Sequence, residues 1–141
     1  MIPDFKLIPE TDDTLRQPCR PVRDDELAGF RDDKFRYRAE KFLKASKGLA
    51  FAAPQIGDSR AWFLWAGGFV INPEVLFRSG ATELLPEGCL SFPGRIVYVD
   101  RPVEIEVHYH DGHSIRQRRL HYMQARIFLH EFDHLSGKCI L

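Results

Sequence analysis

The stretch from Arg126 to Gly137, RIFLHEFDHLSG, constrains this chain more than any other. Met123, Ile127, His130 and His134 recur at spacings of four, three and four, which predicts a helix over about Leu120 to Leu135 with both histidines on its apolar face. Gly137 is placed to end it. Phe128, Leu129, Phe132 and Leu135 flank the histidines, so the helix belongs in a core, where a buried imidazole pair needs partners. Residues i and i+4 stack on one face of a helix, so His130 and His134 can point at one ion. Glu131 lies roughly 100° further round and can reach a water on that ion without binding it. A chance match on an ordinary helix surface is the competing reading, and the apolar flanks weigh against it.

A catalytic metal needs a third protein ligand and an open position. Only LSGKCIL follows His134, and its Cys139 is too close in sequence to reach back easily. The ligand is therefore expected upstream, where PEGCLSFPG (Pro86 to Gly94) offers Cys89. Pro86, Gly88, Pro93 and Gly94 mark that stretch as a shaped turn rather than a regular element. A lone cysteine is more often a small buried apolar residue, so the residues alone leave the third position open.

The rest of the chain indicates what packs against the helix. Residues 1 to 23 are loop-like, with Pro3, Pro9, Pro18 and Pro21. Asp24 or Asp25 can cap a helix running to about Ser46, with Phe35, Ala39, Phe42 and Leu43 on one stripe and Gly48 in the left-handed position after its end. Gly67-Gly68 separates two apolar runs as a hairpin turn. Val103 to His110 alternates as a half-buried strand, and Asp111-Gly112 turns it into HSIRQRRL. The fold class is α+β: antiparallel β-sheets packed around a C-terminal helix carrying H-E-x-x-H, with an N-terminal helix. At 141 residues, with no linker or repeat, a single domain spans 1 to 141.

Lys plus Arg equals Asp plus Glu at 20 each, which gives no electrostatic case for nucleic acid or an anionic membrane. Arg116, Arg118 and Arg119 read as a solvated strand edge. No apolar run approaches the ~20 residues of a membrane helix. The N-terminus lacks a signal-peptide pattern, and the three cysteines fit a reducing compartment, so a cytosolic protein is expected.

Three motifs in order then carry a resemblance: GLAFAAPQ (Gly48 to Gln55), EGCLS (Glu87 to Ser91) and HEFDH (His130 to His134). They resemble the G-x-G-L-A-A-x-Q, E-G-C-L-S and H-E-x-x-H signatures of the peptide deformylase family. LRQPCRPV, INPEV and VDRP support the likeness along nearly the whole chain. The resemblance implies a metal-dependent hydrolase that removes the N-formyl group from the initiator methionine of new polypeptides and releases formate. It implies Cys89, His130 and His134 as ligands of one divalent ion, natively Fe²⁺, with Ni²⁺, Co²⁺ or Zn²⁺ as substitutes. Glu131 is then the general acid/base, and Gln55 and the backbone N–H of Leu90 are the oxyanion donors. Glu87 and Arg101 pair to support the cysteine loop. Gly48, Leu49, Ala50, Leu85, Gly88, Met123, Arg126 and Ile127 are candidates for binding the substrate peptide. N-formylmethionyl peptides are the implied partners, with no nucleic acid or membrane, and the chain is expected to be a monomer.

The chain departs from the family at Ala50, which replaces a glycine, at Phe51, which replaces a leucine, and at Leu129, where glutamine is frequent. Arg126 reads as variation near the methionine pocket. The sequence stops at Leu141, before the extension that serves ribosome docking in some members, so ribosome contact is not expected. That brevity suggests a virus-borne member in the cytoplasm of a bacterium or infected bacterial host. Two rival readings are a different H-E-x-x-H peptidase, which calls for a downstream ligand, and a metal-binding module without catalysis, which calls for damage at Glu131 or Gln55.

Overall fold

The computed structural model describes residues 5–141. The expected loop at 1 to 23 falls partly outside them; within them Asp13–Arg16 forms a single 3₁₀ turn. A longer 3₁₀ stretch, Asp24–Arg31, precedes α1 (Asp33–Ser46). Seven strands follow: β1 (Ala50–Ala52), β2 (Trp62–Trp65), β3 (Gly68–Arg78), β4 (Thr82–Cys89), β5 (Phe92–Pro102), β6 (Glu104–His110) and β7 (Ile115–His121). α2 (Tyr122–Leu135) comes last.

Five strands form one antiparallel sheet in the order β1-β2-β3-β6-β7, and β4-β5 form a separate ribbon. The sheet has helices on both faces over only part of its width, and the strand sequences record this. β2 reads WFLW and is buried throughout, because Phe63 and Trp65 face α2 while Trp62 and Leu64 face the α1 side. β6 alternates because Ile105, Val107 and Tyr109 pack toward α2 while the opposite face is open. Ala125, Phe128, Leu129 and Leu135 dock α2 on the sheet. Phe35 of α1 packs with Phe30, Trp62 and Phe69 in an aromatic cluster, edge-to-face except for the stacked Phe35-Phe69 pair.

The antiparallel α+β class, the Asp111-Gly112 turn and the C-terminal helix are as expected from sequence, and the β2-β3 hairpin turns at Ala66-Gly67, one residue before the expected Gly67-Gly68, because Gly68 already pairs with Trp65. Three local expectations are corrected. Helix α1 does not start at Asp24 or Asp25. Asp32 adopts extended backbone and accepts from the N–H groups of Lys34 and Phe35, so the cap sits at Asp32 and the preceding residues, Gly29 among them, stay 3₁₀. The left-handed residue ending α1 is Lys47, at φ 60°, rather than Gly48. Gly48 serves close approach instead, since a Cβ there would lie 2.9 Å from a methyl of Leu90. Finally, Pro86 to Cys89 is strand rather than turn, with Cys89 opposite Phe92 at the tip of the β4-β5 ribbon.

Candidate metal centre and cleft

The ribbon tip and α2 meet at three side chains. Cys89 at the end of β4 and His130 and His134 on α2 offer ligand atoms that all lie within 4.8 Å of one another. Cys89 Sγ is 3.4 Å from His134 Nε2. Nδ1 of His130 is taken by Glu87 Oε1 at 2.9 Å, which leaves its Nε2 for an ion. Glu131 follows on the same helix with Oε2 3.9 Å from His130 Nε2, and its Oε1 is buried with no hydrogen-bond partner among the described residues. A buried, unpaired carboxylate oxygen is costly and fits a water or substrate proton donor beside an ion. One sulfur and two imidazoles suit Fe²⁺, Co²⁺, Ni²⁺ or Zn²⁺, so the residues present fit such an ion.

For the protein chain alone, the titration of these groups follows from their surroundings. Burial pushes Glu131 up to about 7 against the opposing charges of His130 and Arg101. Burial likewise holds His134 down at about 3, aided by the positive charges of His130 and Arg101. His130 goes the other way: burial disfavours its charged form, but Cys89, Glu87 and Glu131 outweigh that and raise it to about 10.

Gln55 is buried in the 3₁₀ turn after β1. The N–H of Ala52 donates to its Oε1 at 2.8 Å, which fixes which end of the carboxamide is the oxygen. Nε2 therefore points to the metal side, 3.0 Å from Ser91 Oγ and 3.4 Å from Cys89 Sγ.

Beneath the ligands lies a buried ion cluster. Arg101 donates to both oxygens of Glu87, at 2.6 and 2.9 Å, and to Asp133 Oδ2 at 2.9 Å. Arg126 donates to the same carboxylate at 2.6 Å and to the carbonyls of Val99 and Glu83. Burial opposes the Glu87 charge, yet bonds from Arg101, His130 and Arg126 hold its carboxyl at about 2. Glu87 and Arg101 are thus a buried pair, not a surface pair.

A cleft of about 440 Å³ opens from this centre. Gly48, Leu49, Ala50 and Gln55 line one side, Glu87, Gly88, Cys89 and Leu90 the other, and Met123, Arg126, Ile127, His130 and Glu131 the α2 side. Leu85, half-buried on β4, does not line it. The Arg126 head group is anchored on Glu87, so Arg126 belongs to the ion cluster more than to a side-chain pocket. Ala50 sits in β1 with negative φ and is paired to Trp65, a backbone that alanine adopts without strain. Arg101 and His134 face a smaller cavity behind the centre. Cys139, expected to lie too close in sequence to reach back, comes to 3.9 Å from His134 Nδ1, on the side of the ring away from Cys89, while Asp133 and Ser91 are not among the residues singled out from sequence. Asp133 and Ser91 lie inside the quoted motifs, and that adjacency was the available signal.

A helix-borne histidine pair, a strand-end cysteine and a buried glutamate at the head of an apolar cleft define a metal-dependent hydrolase. Comparison with known proteins narrows the class. The family model for polypeptide deformylase matches residues 5–141. Over 139 residues the chain is 36% identical to the peptide deformylase of Thermotoga neapolitana, covering 92% of this chain and 80% of that one. The crystal structure of peptide deformylase from Thermotoga maritima superposes with a TM-score of 0.87 at 34% identity, covering 99% and 96% of the two chains. A probable peptide deformylase from Synechococcus phage S-SSM7 gives 0.89 at 26% identity, covering 97% of each. The chain belongs to the polypeptide deformylase family, metal-dependent hydrolases that remove the N-formyl group from newly made polypeptides. Among the described residues no helix is long and apolar enough to cross a membrane.

Proposed function

We propose that residues 1–141 act as one catalytic unit that hydrolyses the formyl amide of N-formylmethionyl peptides, with Cys89, His130 and His134 holding a single divalent ion, Fe²⁺ in the cell. The observation that carries this reading is the buried, unpartnered Glu131 Oε1 beside the three ligand atoms at the head of the cleft. When bound, the ion polarises the formyl carbonyl and lowers the pKa of water. Glu131 takes a proton from the attacking water and returns it to the departing amine. Gln55 Nε2 and the Leu90 N–H donate to the oxygen that gains charge as the carbon becomes tetrahedral. Gln55 is neutral and held by Ala52, so it donates without reorganising.

Leu49, Met123 and Ile127 offer apolar surface to the methionine side chain. β1 is a sheet edge facing the cleft, so Gly48 to Ala50 can pair with the substrate main chain, and Gly88 admits it closely on the other wall. Phe51 faces the aromatic cluster, away from the peptide. The protein acts as a monomer in the cytoplasm of a bacterium or infected bacterial host.

Formate release from formyl-Met-Ala-Ser by Fe²⁺- or Ni²⁺-loaded protein tests the reading. Glu131→Ala is expected to keep its ion and lose roughly 10²–10⁴ in kcat. Cys89→Ser is expected to lose ion occupancy, measured by elemental analysis. No formate from ion-replete protein would overturn the activity, and full occupancy in Cys89→Ser would overturn the ligand set.

A further inference from the structure

The cleft does not end at Gly48. Lys47 and Gly48 also line a second depression of about 530 Å³, between the C-terminal end of α1 and the β2-β3 hairpin. It is lined by Leu43 and Leu64 on its α1 side and by the Trp65-to-Gly68 hairpin, and its charged residues are Glu40, Lys44 and Lys47. The path of a bound peptide leads there. Gln55 and Cys89 mark the reacting end, and β1 runs back from Gln55 through Ala50 to Gly48 and Lys47. A peptide extended along the free edge of β1 with its formyl group at Gln55 sends its later residues past Gly48 into this groove.

The rim charges lack partners. Glu40 precedes Lys44 by four residues, the favourable helical spacing, yet neither it nor either lysine makes an ion pair or side-chain hydrogen bond among the described residues. Among the described residues the ion pairs are made by arginines and histidines, such as Arg20, Arg60, Arg101 and Arg126, and the lysines stay in solvent. Both lysines are exposed, and two cations against one carboxylate leave the groove positive in a chain that is neutral overall.

We propose that this groove carries the continuation of the substrate peptide, and that Lys44 and Lys47 make the enzyme favour substrates with acidic side chains from about the third residue onward. This rests on the deformylase reading and adds a substrate preference to it. The test compares formyl-Met-Ala-Ser with the same peptide extended by Asp-Glu or by Lys-Lys, using ion-loaded protein and formate release. At low salt, kcat/KM for the acidic extension is expected to exceed that for the basic one by roughly fivefold, the scale of one exposed ion pair. The ratio is expected to fall toward one at about 1 M salt. In K44E/K47E it is expected to invert, and the ratio does not depend on how much active enzyme each preparation holds. A parent ratio near one, or a ratio unchanged in the double variant, would overturn this inference alone. No formate from the tripeptide itself would overturn the deformylase reading and this preference with it.

Discussion

The two histidines of α2 sit one turn apart and are backed differently. His130 Nδ1 meets a carboxylate, Glu87, that two guanidiniums hold rigid from β5 and α2. Nδ1 of His134 meets only the thiol of Cys139, 3.9 Å away, whose own nearest partner is the carbonyl of Leu15 at 3.5 Å. One imidazole is oriented by a charged, buried network, the other by burial and a neutral sulfur. The difference teaches where positional precision at the centre comes from. The Glu87 network joins β4, β5 and α2, so the same bonds that hold the ribbon on the helix also aim Cys89 and His130 at one point. His134 needs less, because its ring is already enclosed, with 1% of the residue exposed.

Glu87→Ala should break this arrangement most. It strands Arg101 and Arg126 in the interior, and removing one partner of a buried pair costs about 3–5 kcal/mol. Denaturant unfolding is expected to show that loss, and competition with a chelator a drop of roughly 10–100-fold in ion affinity. A loss below about 1 kcal/mol would mean that water replaces the carboxylate, and that the network aims nothing.

Glu87→Gln keeps the shape and removes the charge, which sharpens the electrostatic half of the comparison. The Glu87 carboxyl is held at about 2, below its ordinary value of 4.5. A depressed carboxylate stabilises the fold fully above its ordinary value, and that contribution is lost as pH falls from about 4.5 toward 2. The parent is expected to lose stability across that window, and Glu87→Gln to be less stable at neutral pH but flatter across it. Parallel curves from pH 5 to 2 would show that Glu87 does not govern acid sensitivity.

How far these features could be read in the sequence depends on whether their cause is local. The α2 stripe, the β6 alternation and the two hairpins are local patterns, and each formed where expected, the β2-β3 turn within one residue. The split before α1 was missed because either acidic stretch could supply a cap, and only the packing of Phe30 and Phe35 against Trp62 decides between them. Arg126 is instructive. It stands four residues before His130, so the two stack on one helix face and reach the same carboxylate, but a helix alone does not show that Glu87 waits opposite. The Cys89 position was legible only through motif order, since nothing local separates a ligand thiol from a packed one.

Cys139 tests the weaker side of the comparison. The chain returns to His134 so quickly because Gly137 takes φ 81° against the carbonyl of Arg16, where a Cβ would lie 2.7 Å from oxygen. Burial raises the Cys139 thiol, so at neutral pH it stays S–H, a weak acceptor for the His134 N–H. A neutral contact at that distance is worth less than an ordinary hydrogen bond of about 1 kcal/mol. Cys139→Ala is therefore expected to lower ion affinity no more than about threefold by chelator competition, with kcat/KM on the tripeptide following occupancy. If it instead matched the loss in Glu87→Ala, the thiol would be orienting His134 as firmly as the carboxylate orients His130, and the two supports would be equivalent despite their chemistry.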